Sequence, residues 1–251
     1  MILVIADTHC YYDIVNRQIE QAEQSMGVHV DSVVHLGDFG IDREHLNTFF
    51  VRHEGRFQRP VYFIEGNHED FREFDSLLAR YNGEFFTHLP RGTVQTVGGY
   101  RLLCLGGAAY MDAFNTQPGA VIKDHEIDSC LKVPREQVDI IISHDCPAGI
   151  GVPNTPGLEY FGETGFPRSR ELLEHFKPRL WLFGHHHKWF CAQDETTTFQ
   201  GLPGSWKGYC LLGDEYQITT VENSVPWPRT GLVDRILSKL RIIRTDTNPT
   251  G

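Results

Sequence analysis

Five short clusters of Asp, Asn and His occur in the order Asp7-Thr8-His9, Gly37-Asp38, Gly66-Asn67-His68-Glu69, Ser143-His144-Asp145 and Gly184-His185-His186-His187. Carboxylate, amide and imidazole are the donors that a pair of divalent cations needs. This mixture suits manganese, iron, zinc or nickel better than calcium, which prefers oxygen alone. Two such ions about 3.5–4 Å apart can share a carboxylate and a hydroxide, lower the pKa of that water and clamp the oxygens of a phosphate. Taken singly the members are ambiguous. Gly-Asp and Gly-Asn are turn dipeptides, and a lone His144 after an apolar run is more often a satisfied polar residue than a ligand. Their joint occurrence in series favours the metal reading.

Each cluster follows an apolar run. Ile2-Leu3-Val4-Ile5-Ala6, Ser32-Val33-Val34-His35-Leu36, Val61-Tyr62-Phe63-Ile64, Val138-Asp139-Ile140-Ile141-Ile142 and Arg179-Leu180-Trp181-Leu182-Phe183 read as strands buried on both faces. Helical stripes alternate with them: Ile14, Val15, Ile19, Ala22 and Met26, closed by Gly27; a helix carrying Leu46, Phe49 and Phe50; Phe71, Phe74, Leu77 and Leu78; and Leu172, Leu173 and Phe176. From Glu84 to Leu105, short runs broken by Gly92 and Gly98-Gly99 predict antiparallel strands and hairpins. More short strands are expected over 209–212 and 216–221. The expected fold is α/β, a two-sheet β-sandwich flanked by helices. In such folds ligands collect beyond the carboxyl ends of the strands, where all five clusters fall. Gly37 and Gly66 allow the main chain to bend tightly before Asp38 and Asn67.

With 251 residues, the chain is long enough for one well-packed α/β domain, expected over residues 1–222. In the tail, 223–251, Leu232, Val233, Ile236, Leu237, Leu240 and Ile243, surrounded by Arg229, Arg235, Lys239, Arg241 and Arg244, predict a basic amphipathic helix, in the first reading docked on its own domain and in the alternative a membrane-surface or partner helix. Lys and Arg number 23 against 33 Asp and Glu, a net charge of -10 that argues against broad attachment to nucleic acid or anionic membrane. Phosphate affinity must then be local, which bound cations would supply. The six cysteines are scattered without a C-x-x-C pair, and no signal-peptide pattern precedes Asp7, so reduced thiols and a cytoplasmic location are expected. No stretch approaches the roughly 20 apolar residues of a membrane-spanning helix. Residues 106–123 and 146–167, rich in Gly, Pro, Asn and Thr, are long for connections and read as lids or binding walls.

The ordered series D-x-H, G-D, G-N-H-E/D, H and G-H-x-H, running from Asp7 to His187, resembles that of the calcineurin-like metallophosphoesterases. The resemblance implies that Asp7, His9 and His187 hold one metal and Asn67, His144 and His185 the other, with Asp38 bridging. The implied cofactor is two divalent ions, manganese first, with iron, zinc or nickel as alternatives. His68 would contact the phosphate and protonate the leaving oxygen while a metal-bridging hydroxide attacks phosphorus in line. Glu69, Asp70 and Asp145 read as helix-start residues or as acceptors that orient neighbouring imidazoles. His186 is expected to be a pocket wall or solvent residue, and His35 a core residue.

The segment after Gly37-Asp38, Phe39-Gly40-Ile41-Asp42-Arg43, departs from the G-D-x-x-D-R-G of protein Ser/Thr phosphatases. Ser143-His144-Asp145-Cys146-Pro147 and Gly66-Asn67-His68-Glu69 are similar to segments of RNA lariat-debranching enzymes, which typically carry Cys where His9 stands. Gly106-Gly107-Ala108 with Asp112 resembles a G-G-A element of small bacterial and phage phosphoesterases. The expected function is hydrolysis of phosphate mono- or diesters, on a small phosphoester or nucleotide. The alternative is a nuclease on single-stranded or branched nucleic acid, for which Tyr160, Phe161, Trp189 and Trp206 offer stacking surfaces with Arg168, Arg170 and Lys188 nearby in sequence. A non-catalytic interaction protein that retains the fold is the third reading; against it stands the presence of every motif ligand.

Overall fold

The computed structural model describes residues 1–109, 117–157, 160 and 162–227. The predicted amphipathic helix of the tail lies outside the described residues, as do Asp112 and Phe161.

Two six-stranded sheets form the body. The first contains β1 (Ile2–Ile5), β2 (Ser32–Leu36), β3 (Val61–Ile64), β4 (Thr87–His88), β11 (Gly208–Leu212) and β12 (Ile218–Glu222), in the order β12-β11-β1-β2-β3-β4. The second contains β5 (Thr93–Val97), β6 (Tyr100–Leu105), β7 (Ile140–Ser143), β8 (Leu180–Phe183), β9 (Phe190–Gln193) and β10 (Thr198–Gly201), in the order β5-β6-β7-β8-β10-β9. β1, β2 and β3 run parallel, as do β6, β7 and β8.

The unbroken apolar character of these strands follows from a four-layer arrangement. Ile2, Val4, Val34, Leu36 and Ile64 face Leu102, Cys104, Ile140, Ile142, Leu180 and Leu182 across the sandwich. The alternate residues Leu3, Ile5, Val33 and Phe63 turn outward onto Ile14, Val15, Ile19 and Ala22 of α1 (Asp13–Met26). On the far side Leu103, Ile141, Trp181 and Phe183 meet Ile127 of α4 (Asp124–Cys130) and Leu172 and Phe176 of α5 (Ser169–Phe176). Both side-chain directions of each central strand are therefore covered.

Two local expectations differ from the structure. Over 84–105 only β5 and β6 form an antiparallel hairpin; β4 pairs parallel with β3, and β6 parallel with β7. The chain leaves the first sheet after β4 and enters the second at β5, so strands adjacent in sequence do not pair. The helix around Leu46 begins as α2 (Arg43–Leu46) and widens into a π-helical segment, Asn47–Arg52, with His53 donating to the Thr48 carbonyl. The wider turn lets the consecutive rings of Phe49 and Phe50 both reach the core, where they also meet Phe74 and Leu77 of α3 (Phe74–Tyr81).

The two long loops are clipped at their bases. Ala108 bridges to Val121 and Pro147 to Phe166, and Arg91 donates to the carbonyls of Gly119 and Val121. None of the six cysteines is joined in a disulfide. Among the described residues no helix is long and apolar enough to cross a membrane.

Candidate metal centre

Parallel pairing brings the carboxyl ends of β1, β2 and β3 together in one sheet and those of β7 and β8 together in the other. The loops are then stitched by main-chain bonds: Asp7 N–H to the Gly37 carbonyl, His9 N–H to that of Asp38, and Gly184 N–H to that of His144. Asp7, His9, Asp38, His185 and His187 all take left-handed backbone angles, with φ of 56°, 47°, 54°, 64° and 52°. Each costs on the order of 1 kcal/mol and persists only where the surroundings dictate it. Space explains the glycines. A Cβ on Gly37 would stand 2.3 Å from His144 Nδ1, and one on Gly66 2.0 Å from Asp38 Oδ1.

Asp7 is buried, and neither of its carboxylate oxygens accepts a well-aligned hydrogen bond; His187 Nε2 lies 3.3 Å from Oδ1. Donor atoms of Asp7, His9 and His187 lie within 4.8 Å of one another. Burial pushes the Asp7 carboxyl up, but His187 and His144 outweigh it and hold the group below its ordinary value. Burial pulls His9 down, whereas Asp7 raises His187 against burial. A buried carboxylate that accepts no well-aligned hydrogen bond and faces two imidazoles fits a cation.

Asp38 stands between the two halves of the site. Its Oδ2 is 3.8 Å from His9 Nε2 and its Oδ1 3.5 Å from His144 Nε2, and the His68 N–H donates to Oδ1 at 2.9 Å. Burial works against ionisation here too, yet His144, His9 and His68 keep the carboxyl far below its ordinary range. His144 Nδ1 is 2.7 Å from the Leu36 carbonyl, which can only accept, so Nδ1 carries the proton. In the neutral ring the Nε2 lone pair then faces Asn67 Oδ1 at 3.0 Å. Two acceptors so placed fit a positive ion between them. The ring of His185 packs 5.0 Å from that of His144. His68 is exposed at the mouth, its ring 5.6 Å from that of His9. The structure thus gathers all seven sequence-predicted ligands, and His68, along one seam.

The supporting residues are more specific than the sequence suggested. Glu69 accepts the main-chain N–H groups of Phe39, Gly40, Ile41 and Gly66, and so ties the loop after β2 to the loop after β3. It holds backbone rather than an imidazole; burial and Asp38 push its carboxyl up to about 7. Asp145 does hold an imidazole: its Oδ1 lies 3.0 Å from His186 Nε2, and it accepts from the N–H of Cys146 and of Ala109. His186 is therefore tethered, not a free solvent residue. Asp70 accepts the local N–H of Arg72 at 3.1 Å. His35 is a core residue with a task, since its Nε2 meets Thr8 Oγ1 at 3.0 Å while Thr8 donates to the Phe39 carbonyl. Burial drops that imidazole to about 3, so it is neutral. The signal in the sequence was a histidine within an apolar strand one residue before Leu36-Gly37-Asp38.

Of the stacking candidates among the described residues, Trp206 lies at the site, 4.9 Å from the His187 ring and 6.3 Å from that of His9. Trp189 covers Gly208 and donates to Glu222, and Tyr160 is exposed. The expected basic flank is spent elsewhere: Arg168 pairs with Asp128 and Glu171, Arg170 with Glu174, and Lys188 donates to the Pro153 and Asn154 carbonyls.

Known proteins resemble this chain in sequence and in fold. A lariat debranching enzyme of Entamoeba histolytica is 25% identical over 242 residues, 80% of this chain and 68% of that protein. One of Schizosaccharomyces pombe is 28% identical over 175 residues, covering 59% of this chain but 37% of that protein. In fold the chain is similar to phosphopantetheinyl hydrolase of Mycobacterium tuberculosis, with a TM-score of 0.55 at 12% identity over 92% of this chain and 98% of that one. The family model for calcineurin-like phosphoesterases matches residues 1–189. The chain accordingly belongs to the calcineurin-like phosphoesterase family, hydrolases of phosphoester bonds.

Proposed function

We propose that the protein is a binuclear metal-dependent phosphodiesterase whose substrate is a nucleotide or nucleic-acid diester, branched RNA included. The observation that carries this is Asp38 set between His9 and His144, beside a buried Asp7 carboxylate that accepts no well-aligned hydrogen bond and faces His187 at 3.3 Å. The names of the two curated relatives, lariat debranching enzymes acting on branched RNA, favour a diester over a monoester. The His at position 9 departs from the Cys typical of those enzymes, so the debranching reaction is one candidate within the class.

Asp7, His9 and His187 would hold one divalent cation, Asn67, His144 and His185 the second, and Asp38 both. When bound, such a pair supplies Lewis acidity at the phosphoryl oxygens and lowers the pKa of a water. Against two carboxylates, two divalent cations leave about two positive charges, which concentrate anion affinity at one spot of an acidic protein. The protein does the rest. Asp145 fixes His186 and thereby the turn that carries His185 and His187, and Glu69 fixes the turn that carries Asn67 and His68. His68, its main chain pinned to Asp38 and its ring open to solvent, donates a proton to the leaving oxygen.

The test is turnover by metal-stripped protein given manganese, nickel or zinc, on a chromogenic monoester, a chromogenic diester and a branched RNA oligonucleotide. Preference for the diesters supports the proposal. Cleavage of the monoester alone contradicts the diester reading, and no turnover with any metal contradicts the enzyme reading.

A further inference from the structure

A row of partly exposed aromatic rings leads outward from the candidate metal centre. Trp206 stands 4.9 Å from the ring of His187, Trp227 5.6 Å from Trp206, and Tyr11 4.6 Å from Trp227. The row is fixed in place. Ser205 donates its N–H and its hydroxyl to the Ala6 carbonyl, at 3.0 and 2.9 Å, and Gln18 donates to the Ser205 carbonyl at 2.7 Å. The residue next to Trp206 is thereby pinned at the start of the Asp7 turn. Asn223 closes the other end, its amide donating to the carbonyls of Trp206 and Val225. Gly204 is required as well, because a Cβ there would meet the Trp206 indole at 2.3 Å. Lys207, exposed, reaches the His187 carbonyl at 3.4 Å and puts a positive charge beside the row.

Rings held in this way contribute little to an ester whose substituents are small and aliphatic. They suit planar groups carried within one nucleotide of the phosphate, and stacking accepts every base because each has a π-face. Resting on the phosphodiesterase reading, we propose that Trp206, Trp227 and Tyr11 form a stacking subsite for the nucleobase next to the scissile phosphate. The substrate class is then a nucleic-acid diester recognised by a base at the metal centre, with little preference among bases.

The test compares two esters of the same leaving group on the metal-loaded full chain: the p-nitrophenyl phosphodiester of thymidine and that of abasic deoxyribose. Wild type should favour the thymidine ester in kcat/KM. Trp206→Ala should reduce that preference about tenfold, through KM, and Trp206→Phe should keep most of it. Equal rates on the two esters in wild type, or a preference untouched by Trp206→Ala, would overturn the subsite and leave the row as packing. If wild type cleaves neither ester with any metal, the phosphodiesterase reading fails on its own, and binding of a short single-stranded oligonucleotide still decides the subsite. There, a Kd weakened about tenfold by Trp206→Ala supports it, and an unchanged Kd rejects it.

Discussion

Asp38 Oδ1 lies 3.5 Å from His144 Nε2, although Asp38 follows β2 of one sheet and His144 follows β7 of the other. The site therefore exists only when the sandwich is closed, and any cation held there bridges the two sheets. Ligands that bind the folded state alone stabilise it by mass action.

The first prediction follows from that linkage. Manganese or zinc added to stripped protein should raise the melting temperature with increasing concentration, and Asp38→Ala should abolish both the rise and the turnover. Differential scanning calorimetry across a metal titration reads the first, and a chromogenic ester the second. A metal-dependent rise that survives in Asp38→Ala would show that Asp38 does not bridge.

His68 separates chemistry from binding. Its exposed ring stands outside the proposed ligand set, so His68→Ala should retain metal while turnover falls on the order of 10²–10⁴-fold, the range of a lost general acid. Activity equal to wild type would remove the assigned role.

Glu69 tests the clamp. In Glu69→Gln one oxygen is replaced by an NH₂ that faces N–H donors, so the loops after β2 and β3 lose part of their tie. Metal affinity should weaken roughly 10–100-fold, the usual effect of disturbing groups that orient ligands. Isothermal titration of the stripped variant measures it, and wild-type affinity would show that the main chain holds these turns unaided.

Glu65, two residues before Asn67 on the core side of the turn, gives a pH dependence of stability. Its oxygens lie 2.9 Å from His88 Nε2 and 2.9 Å from Arg91 Nε. Burial raises its pKa, yet His88 and Arg91 hold it below the ordinary value of 4.5. A carboxyl depressed on folding contributes stability that is present above its unfolded pKa and lost as pH falls through the folded one. Glu65→Gln should thus cost about 3 kcal/mol at pH 7, where Arg91 loses a buried partner, and the gap to wild type should narrow below about pH 4. Urea denaturation at several pH values measures the gap; a constant difference would assign the loss to shape alone.

The fold was largely readable because β1, β2, β3, β7 and β8 are buried on both faces and show it as unbroken apolar runs, each closed by a polar cluster. The pairing of β4 and β6 was not, since short strands carry no mark of the sheet they join. The candidate ligands that the fold gathers along one seam were readable from residue type and order. What escaped was conformation and direction: no pattern announces that Asp7, Asp38 and His187 sit at positive φ, or that Glu69 turns to main-chain N–H groups while Asp145 turns to His186. Trp206 could be named as a stacking surface, but its link to Trp227 and Tyr11 joins residues nearly the whole domain apart, and only folding brings them together.

The central claim is that seven side chains from both sheets hold a pair of catalytic cations. Elemental analysis of a fully active preparation, with metal counted per chain alongside specific activity, tests it most directly. The account predicts about two divalent ions per chain and activity that rises with their occupancy; full activity in protein carrying none would contradict it.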